Sequence, residues 1–154
     1  MATKSKTAGF SKLEFPSTSG TFKASELGAK KIVLYFYPKD STPGCTMEGH
    51  EFSKLLPQFK KAGAVVYGIS RDSIASHEKF KKKECFTVDL ISDEDEILCK
   101  HFDVIKEKNM YGKKVMGIER STFVVDESGK ILAEWRKVKA EGHAKEVLEQ
   151  VKAL

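Results

Sequence analysis

Residues 32–37, Ile-Val-Leu-Tyr-Phe-Tyr, form the longest apolar run in the chain and carry no charge. A run of strand length without polar alternation is the pattern of a strand covered on both faces, so this segment is expected at the centre of a sheet. Downstream the period changes to that of a helix. Phe52, Leu55, Leu56, Phe59 and Ala62 recur at helical spacing after Cys45, and Gly63 is the stop signal. Pro57 falls inside this helix, lacks the N–H that would bond the Ser53 carbonyl, and predicts a kink. The pattern then predicts a strand at 64–70, a helix at 73–83, a strand at 88–91 and a helix at 94–102 whose inner face carries Ile97, Leu98 and Phe102. Residues 105–117 are highly charged and read as a long loop. Segments 121–125 and 130–138 flank the turn Asp126-Glu127-Ser128-Gly129 and predict a hairpin. Ala144, Val147, Leu148 and Val151 mark a closing helix, and residues 10–15 with Thr21 and Phe22, around a turn at 17–20, predict a small N-terminal hairpin.

This order places helices on both faces of a mixed central β-sheet, a three-layer α/β solution that a thioredoxin-like fold satisfies. The length of 154 residues and mass of 17.2 kDa suit a single domain, 1–154, with one core. A chain this long buries roughly 70% of its unfolded surface and needs no disulfide or metal staple. The 40% hydrophobic and 32% charged composition excludes disordered and low-complexity classes, and the longest apolar run is far below the roughly 20 residues of a membrane helix. The first ten residues hold two lysines without an apolar stretch behind them, so no secretory signal is read and a cytoplasmic home is expected. Cys45, Cys85 and Cys99 fit neither a secreted disulfide framework nor the paired spacing of a zinc site, and are expected to be reduced thiols at rest. The net charge is +5, and its only dense basic cluster, Lys79, Lys81, Lys82 and Lys83, reads as a solvated helix face rather than a nucleic-acid surface. His50, His77, His101 and His143 show no ligand spacing and read as surface or capping residues, so no metal is expected. No Gly-rich phosphate loop or dinucleotide fingerprint is present, so neither flavin nor nicotinamide should bind, and electrons must come from a protein or small thiol.

The chemistry concentrates after the central strand, in residues 38–48, Pro-Lys-Asp-Ser-Thr-Pro-Gly-Cys-Thr-Met-Glu. Thr42 can cap a helix and Pro43 suits its first position, which leaves Cys45 in the first turn. There the unpaired N–H groups and the helix dipole favour a thiolate over a thiol. Ionisation alone gains roughly thirtyfold at most, so positioned donors must supply the rest of any catalysis. From these residues alone Cys45 can equally pack behind the loop, and Arg120 reads as a surface partner of a neighbouring Glu.

Pro38-x-x-x-Thr42-x-x-Cys45 between a strand and a helix resembles the peroxidatic motif of peroxiredoxins. Residues 35–46 resemble the PrxQ, or bacterioferritin comigratory protein, subfamily, and residues 117–123, Gly-Ile-Glu-Arg-Ser-Thr-Phe, resemble the strand that carries its active-site arginine. The resemblance runs over essentially the whole chain. It implies a thiol-dependent peroxidase for hydrogen peroxide and organic hydroperoxides, in which Cys45 attacks the O–O bond. By the same resemblance the Thr42 hydroxyl and the Cys45 N–H hold the peroxide, Arg120 polarises it, and Pro43, in the motif that Pro38 opens, shields the sulfur. It further implies a monomer recycled by thioredoxin or another thiol, and the motif, charge and hydropathy readings above predict no cofactor and no nucleic-acid or membrane partner.

The sequence departs from this pattern at one informative place. The commonest PrxQ pattern puts a resolving cysteine five residues after the peroxidatic one, and here that position is His50. The sulfenic acid must therefore condense with Cys85, with an external thiol or with Cys99, in that order of expectation. Relatives that resolve from the helix after the second core strand would place the thiol nearer Lys81. Cys99, on an apolar helix, reads as inert packing. The rivals are a one-cysteine peroxidase, a thiol-disulfide oxidoreductase, disfavoured because no Cys-x-x-Cys exists, and a non-catalytic interaction module.

Overall fold

A 3-10 turn (Phe10–Lys12) leads into β1 (Glu14–Phe15), which pairs antiparallel with β2 (Phe22–Lys23), the small hairpin the sequence predicts. The computed structural model describes residues 10–27 and 29–154; the first nine residues, and with them the reading of no signal segment there, lie outside them. Beyond it run β3 (Lys31–Phe36), α1 (Pro43–Lys61), β4 (Ala64–Ser70), α2 (Ile74–Glu84), β5 (Asp89–Ser92), α3 (Ile97–His101), β6 (Ile105–Met110), β7 (Lys113–Ile118), β8 (Ser121–Val125), β9 (Ile131–Trp135) and α4 (His143–Ala153). The central sheet has the order β5-β4-β3-β8-β9, with β3 parallel to β4 and antiparallel to β8.

Strand β3 is central for the reason its sequence gives. Its alternating side chains serve two separate apolar clusters. Val33 and Tyr35 join Phe52, Phe59 and Val147 from α1 and α4, while Ile32, Leu34 and Phe36 join Phe10, Phe15, Leu98 and Phe123 on the other face. Helix α1 runs through Pro57, and the Ser53 carbonyl that proline leaves without its helical donor instead accepts the Thr87 hydroxyl at 3.1 Å.

Three expectations are corrected. Residues 105–117 are not a loop: β6 and β7 form a hairpin from Ile105↔Ile118 to Met110↔Lys113, turning through Tyr111 and Gly112, both at positive φ. The helix expected at 94–102 covers only 97–101, because Glu96 lies at φ 59 and the Asp93 carboxylate takes the N–H groups of Leu98 and Cys99 at 3.1 and 2.8 Å. Its shorter phase buries Leu98 and Cys99 and leaves Ile97 about half exposed, at 52%. Finally, His77 and His143 are buried rather than superficial, because fixed acceptors meet their ring nitrogens inside the fold.

Candidate active site

Cys45 is the third residue of α1, after Pro43 at the first position and Gly44 at the second, and is only 2% exposed. In a first turn the N–H groups have no intrahelical acceptor, so those of Gly44 and Cys45 point past the helix start. Thr42 precedes the helix in extended conformation, but its side chain does not cap it. The Thr42 hydroxyl donates to the Lys39 carbonyl at 2.9 Å, while its own carbonyl accepts the Thr46 N–H and hydroxyl, each at 2.8 Å. Pro43 is exposed beside it, and Pro38 is half-buried after the end of β3.

Arg120, between β7 and β8, reaches this helix start from a point 75 residues away in sequence. One guanidinium nitrogen, Nη2, lies 3.4 Å from the Cys45 Sγ, and the other, Nη1, donates to Glu48 Oε1 at 2.6 Å. Gly44 makes room for it: a Cβ there would lie 3.1 Å from Nη2. The arginine therefore does pair with a glutamate, but with a buried one across the fold rather than with its neighbour Glu119. Sequence reasoning missed Glu48, whose signal was its place three residues after Cys45 on one helix face. Its side chain is fully buried, and Oε2 has no hydrogen-bond partner among the described residues. Burial pushes its carboxyl up to about 7, although Arg120 pulls the other way. Burial would lower Arg120, but Glu48 and Cys45 together hold it above its ordinary value. The result is a two-pronged cation fixed between a thiol and a carboxyl.

The loop before Cys45 is pinned by a buried polar network. Asp40 accepts the Tyr37 hydroxyl at 2.6 Å, the Ser76 hydroxyl at 2.8 Å and His77 Nδ1 at 2.7 Å, while His77 Nε2 donates to the Ile91 carbonyl at 2.9 Å. Burial alone would raise the Asp40 carboxyl, and the hydrogen bonds from His77 and Tyr37 outweigh it and hold it below its ordinary range. Asp72 completes the cluster, accepting the Asp40 N–H at 2.9 Å and the Ser70 hydroxyl at 2.5 Å. These acids and His77 lie close enough to hold a cation, but their donors and acceptors are already engaged with one another, and the cluster reads as a brace.

Neither of the other two thiols is bonded to Cys45. All three cysteines are free. Cys85 is exposed and ends α2 in the left-handed region at φ 56. Its flanks are tied to α1: Glu84 accepts His50 Nε2 at 2.9 Å, Phe86 packs on Gly49, and the Thr87 N–H donates to the Ser53 hydroxyl at 3.0 Å. Lys81, one turn earlier, pairs with Asp89 at 2.5 Å. Cys99 is fully buried, and burial, then Asp93, pushes its thiol well up, as inert packing requires.

The AhpC/TSA family model matches residues 8–134. Peroxiredoxin Bcp of Xanthomonas campestris is 61% identical over 122 residues, covering 79% of this chain and 76% of the relative, and peroxiredoxin Bcp of Bacillus subtilis is 47% identical over 132 residues, covering 86% and 84%. Among solved structures, the bacterioferritin comigratory protein of Xanthomonas campestris, described in terms of its alkyl peroxide reduction activity, superposes with a TM-score of 0.88 at 52% identity, covering 95% of this chain and 94% of that one. The architecture they share is thioredoxin-like, with a mixed sheet between helical layers.

Proposed function

The chain belongs to the AhpC/TSA family and is a peroxiredoxin, a thiol-dependent peroxidase, and from that premise we propose that Cys45 attacks the hydroperoxide and Cys85 resolves the product. The family implies a hydroperoxide substrate and a thiol reductant; thioredoxin is the reductant proposed here. The observation that carries the reading is the Arg120 fork, with one prong on the Cys45 sulfur and the other on buried Glu48. The sulfur lone pair forms an S–O bond as the O–O bond breaks, and the departing oxygen leaves as water or alcohol after taking a proton. A planar, permanently charged donor held at the sulfur stabilises charge on that oxygen, which a point-charge lysine does less well. Because the Thr42 hydroxyl donates its hydrogen bond to the Lys39 carbonyl, its lone pairs are left to accept one from the peroxide O–H. The Cys45 N–H donates to the bound oxygen, and Pro38 and Pro43 shape the loop and shelter the sulfur.

Cys45 is left as a sulfenic acid, Cys85 condenses with it to a disulfide with loss of water, and the reductant reopens that bond. The Xanthomonas relative's alkyl peroxide reduction supports organic hydroperoxides as substrates beside hydrogen peroxide. Three unpaired thiols suit a reducing cytoplasm, and the whole chain is proposed to act as one domain and as a monomer. No described helix is long and apolar enough to cross a membrane.

Peroxide consumption with dithiothreitol or a thioredoxin system tests this reading: the wild type should turn over and Cys45→Ser should not. Peptide mapping after one equivalent of peroxide should give a Cys45 to Cys85 disulfide; Cys85→Ser should accumulate sulfenic acid and overoxidise, and Cys99→Ser should behave as wild type. A second reading, one-cysteine turnover with an external thiol, draws on the burial of Cys45 and the tethering of Cys85. Normal thioredoxin-driven turnover by Cys85→Ser would establish it instead.

A further inference from the structure

Cys85 is an exposed thiol on a short segment whose neighbours on both sides are fastened to one stretch of α1. Before it, Glu84 accepts the His50 Nε2–H. After it, the Phe86 ring fills the space a Cβ at Gly49 would need, 2.4 Å from its Cζ, and packs edge-on to His50 and Phe80 with ring centres at 5.0 and 4.8 Å. Thr87 and Val88 then donate their N–H groups to the Ser53 hydroxyl at 3.0 and 3.3 Å. The Thr87 hydroxyl occupies the Ser53 carbonyl that Pro57 leaves without a helical donor, at 3.1 Å. Every one of these α1 partners lies within residues 49–53, the turn that follows the one opened by Cys45.

We infer that His50, Ser53 and Thr87 form a clasp on residues 84–88 that positions Cys85 for the resolving step. The inference rests on Cys85 being the resolving thiol. In the folded state the two thiols are free, one buried and one exposed, so forming the disulfide requires one side to move. The Cys85 side can move only by withdrawing the 4%-exposed Phe86 ring from the core and giving up the Ser53 and His50 bonds together. The Cys45 side has to fray only a first turn that contains Gly44 and whose backbone bonding begins with the Thr46 N–H to the Thr42 carbonyl.

Reach is sufficient. The four Cα-to-Cα steps from Gly49 to Cys45, fully extended, span up to about 14 Å, and a disulfide needs the two Cα atoms within about 7 Å. Since the residues on either side of Cys85 touch positions 49 and 50, the clasp keeps the thiol beside that stretch of α1, where a sulfenic acid carried out on the frayed turn meets it. The Cys45 S–O bond then breaks, the S–S bond forms, and the Cys85 proton leaves with the hydroxide as water.

Rapid mixing with hydrogen peroxide, acid quenching and mass spectrometry separates loss of the Cys45 thiol from appearance of the Cys45 to Cys85 disulfide. His50→Ala and Thr87→Val should leave the first rate at the wild-type value and slow the second by about threefold to tenfold, the shift expected when a single hydrogen bond of the clasp is lost. Overoxidation at high peroxide should rise in parallel, and Thr87→Ser, which keeps the hydroxyl, should restore the wild-type rate. A disulfide that forms in the wild type and just as fast in both variants overturns the clasp alone, as does a Thr87→Ser variant as slow as Thr87→Val. Absence of that disulfide from the wild type overturns the role of Cys85 and the clasp with it.

Discussion

At the scale of single residues, Arg120 bridges Cys45 and Glu48, and the proposed role of the thiol is tested there. Arg120→Lys keeps a charge but cannot place two donors at once on the Cys45 sulfur and Glu48 Oε1, so the second-order rate with peroxide should fall at least about tenfold, and in Arg120→Ala by about 10²–10³. Full activity in the lysine variant would remove the two-pronged role. Glu48 makes a separate prediction through stability. Its folded-state value of about 7 lies above the ordinary 4.5, so the folded protein holds this proton more tightly than the unfolded chain does. That contribution is complete below about pH 4.5 and is lost as the pH rises towards 7, amounting to about 3 kcal/mol. Glu48→Gln has no such proton, and its urea-unfolding free energy should lack this fall across the same window.

At the scale of elements, α1 depends on a missing side chain. Gly49 faces the Phe86 ring so closely that a methyl group cannot enter without moving the ring. Gly49→Ala raises helix propensity, yet overpacking should dominate and destabilise the fold by about 1–3 kcal/mol, read from the urea midpoint. The legibility of elements followed their patterning. Strand β4 and helix α2 were readable to within a residue because apolar runs and a Ser73 cap bound them. The β6–β7 hairpin was hidden because Lys106, Glu107, Lys108, Lys113 and Lys114 leave both strands polar, and the only residual signal was the Tyr111-Gly112 turn between them. The motif at 38–45 and the arginine at 120 were legible as residues, whereas the Glu48 partnership and the buried states of His77 and His143 depend on acceptors brought from elsewhere in the chain. No local pattern records such acceptors.

Across the whole molecule, the site is held in place by bonds between layers. His77 joins α2, the loop before Cys45 and the β5 carbonyl of Ile91, and His143 ties α4 to the Thr122 hydroxyl of β8 at 2.7 Å. Removing one member of a buried pair leaves the other without its partner, so His77→Leu should cost about 3–5 kcal/mol in urea unfolding, far more than a surface histidine would. The N-terminal segment contributes too: the Thr18 and Ser92 N–H groups exchange with the Leu90 and Pro16 carbonyls at 3.0 and 2.8 Å, covering the outer edge of β5 that an open sheet would otherwise present to another chain.

The central strand carries a consequence for the order in which the protein comes into being. Ile32 of β3 pairs with Val125 of β8, so one flank of β3 stays open until most of the chain exists. Arg120 stands immediately before that late strand, 75 residues after the thiol it contacts. On a ribosome adding about 5–20 residues per second, Cys45 is made roughly 4–15 s before its cation. On the proposed roles of these residues, the nascent chain presents Cys45 without Arg120, and reactivity with peroxide at that thiol is expected to rise only when β8 closes on β3, which makes oxidant sensitivity a property expected of the finished fold.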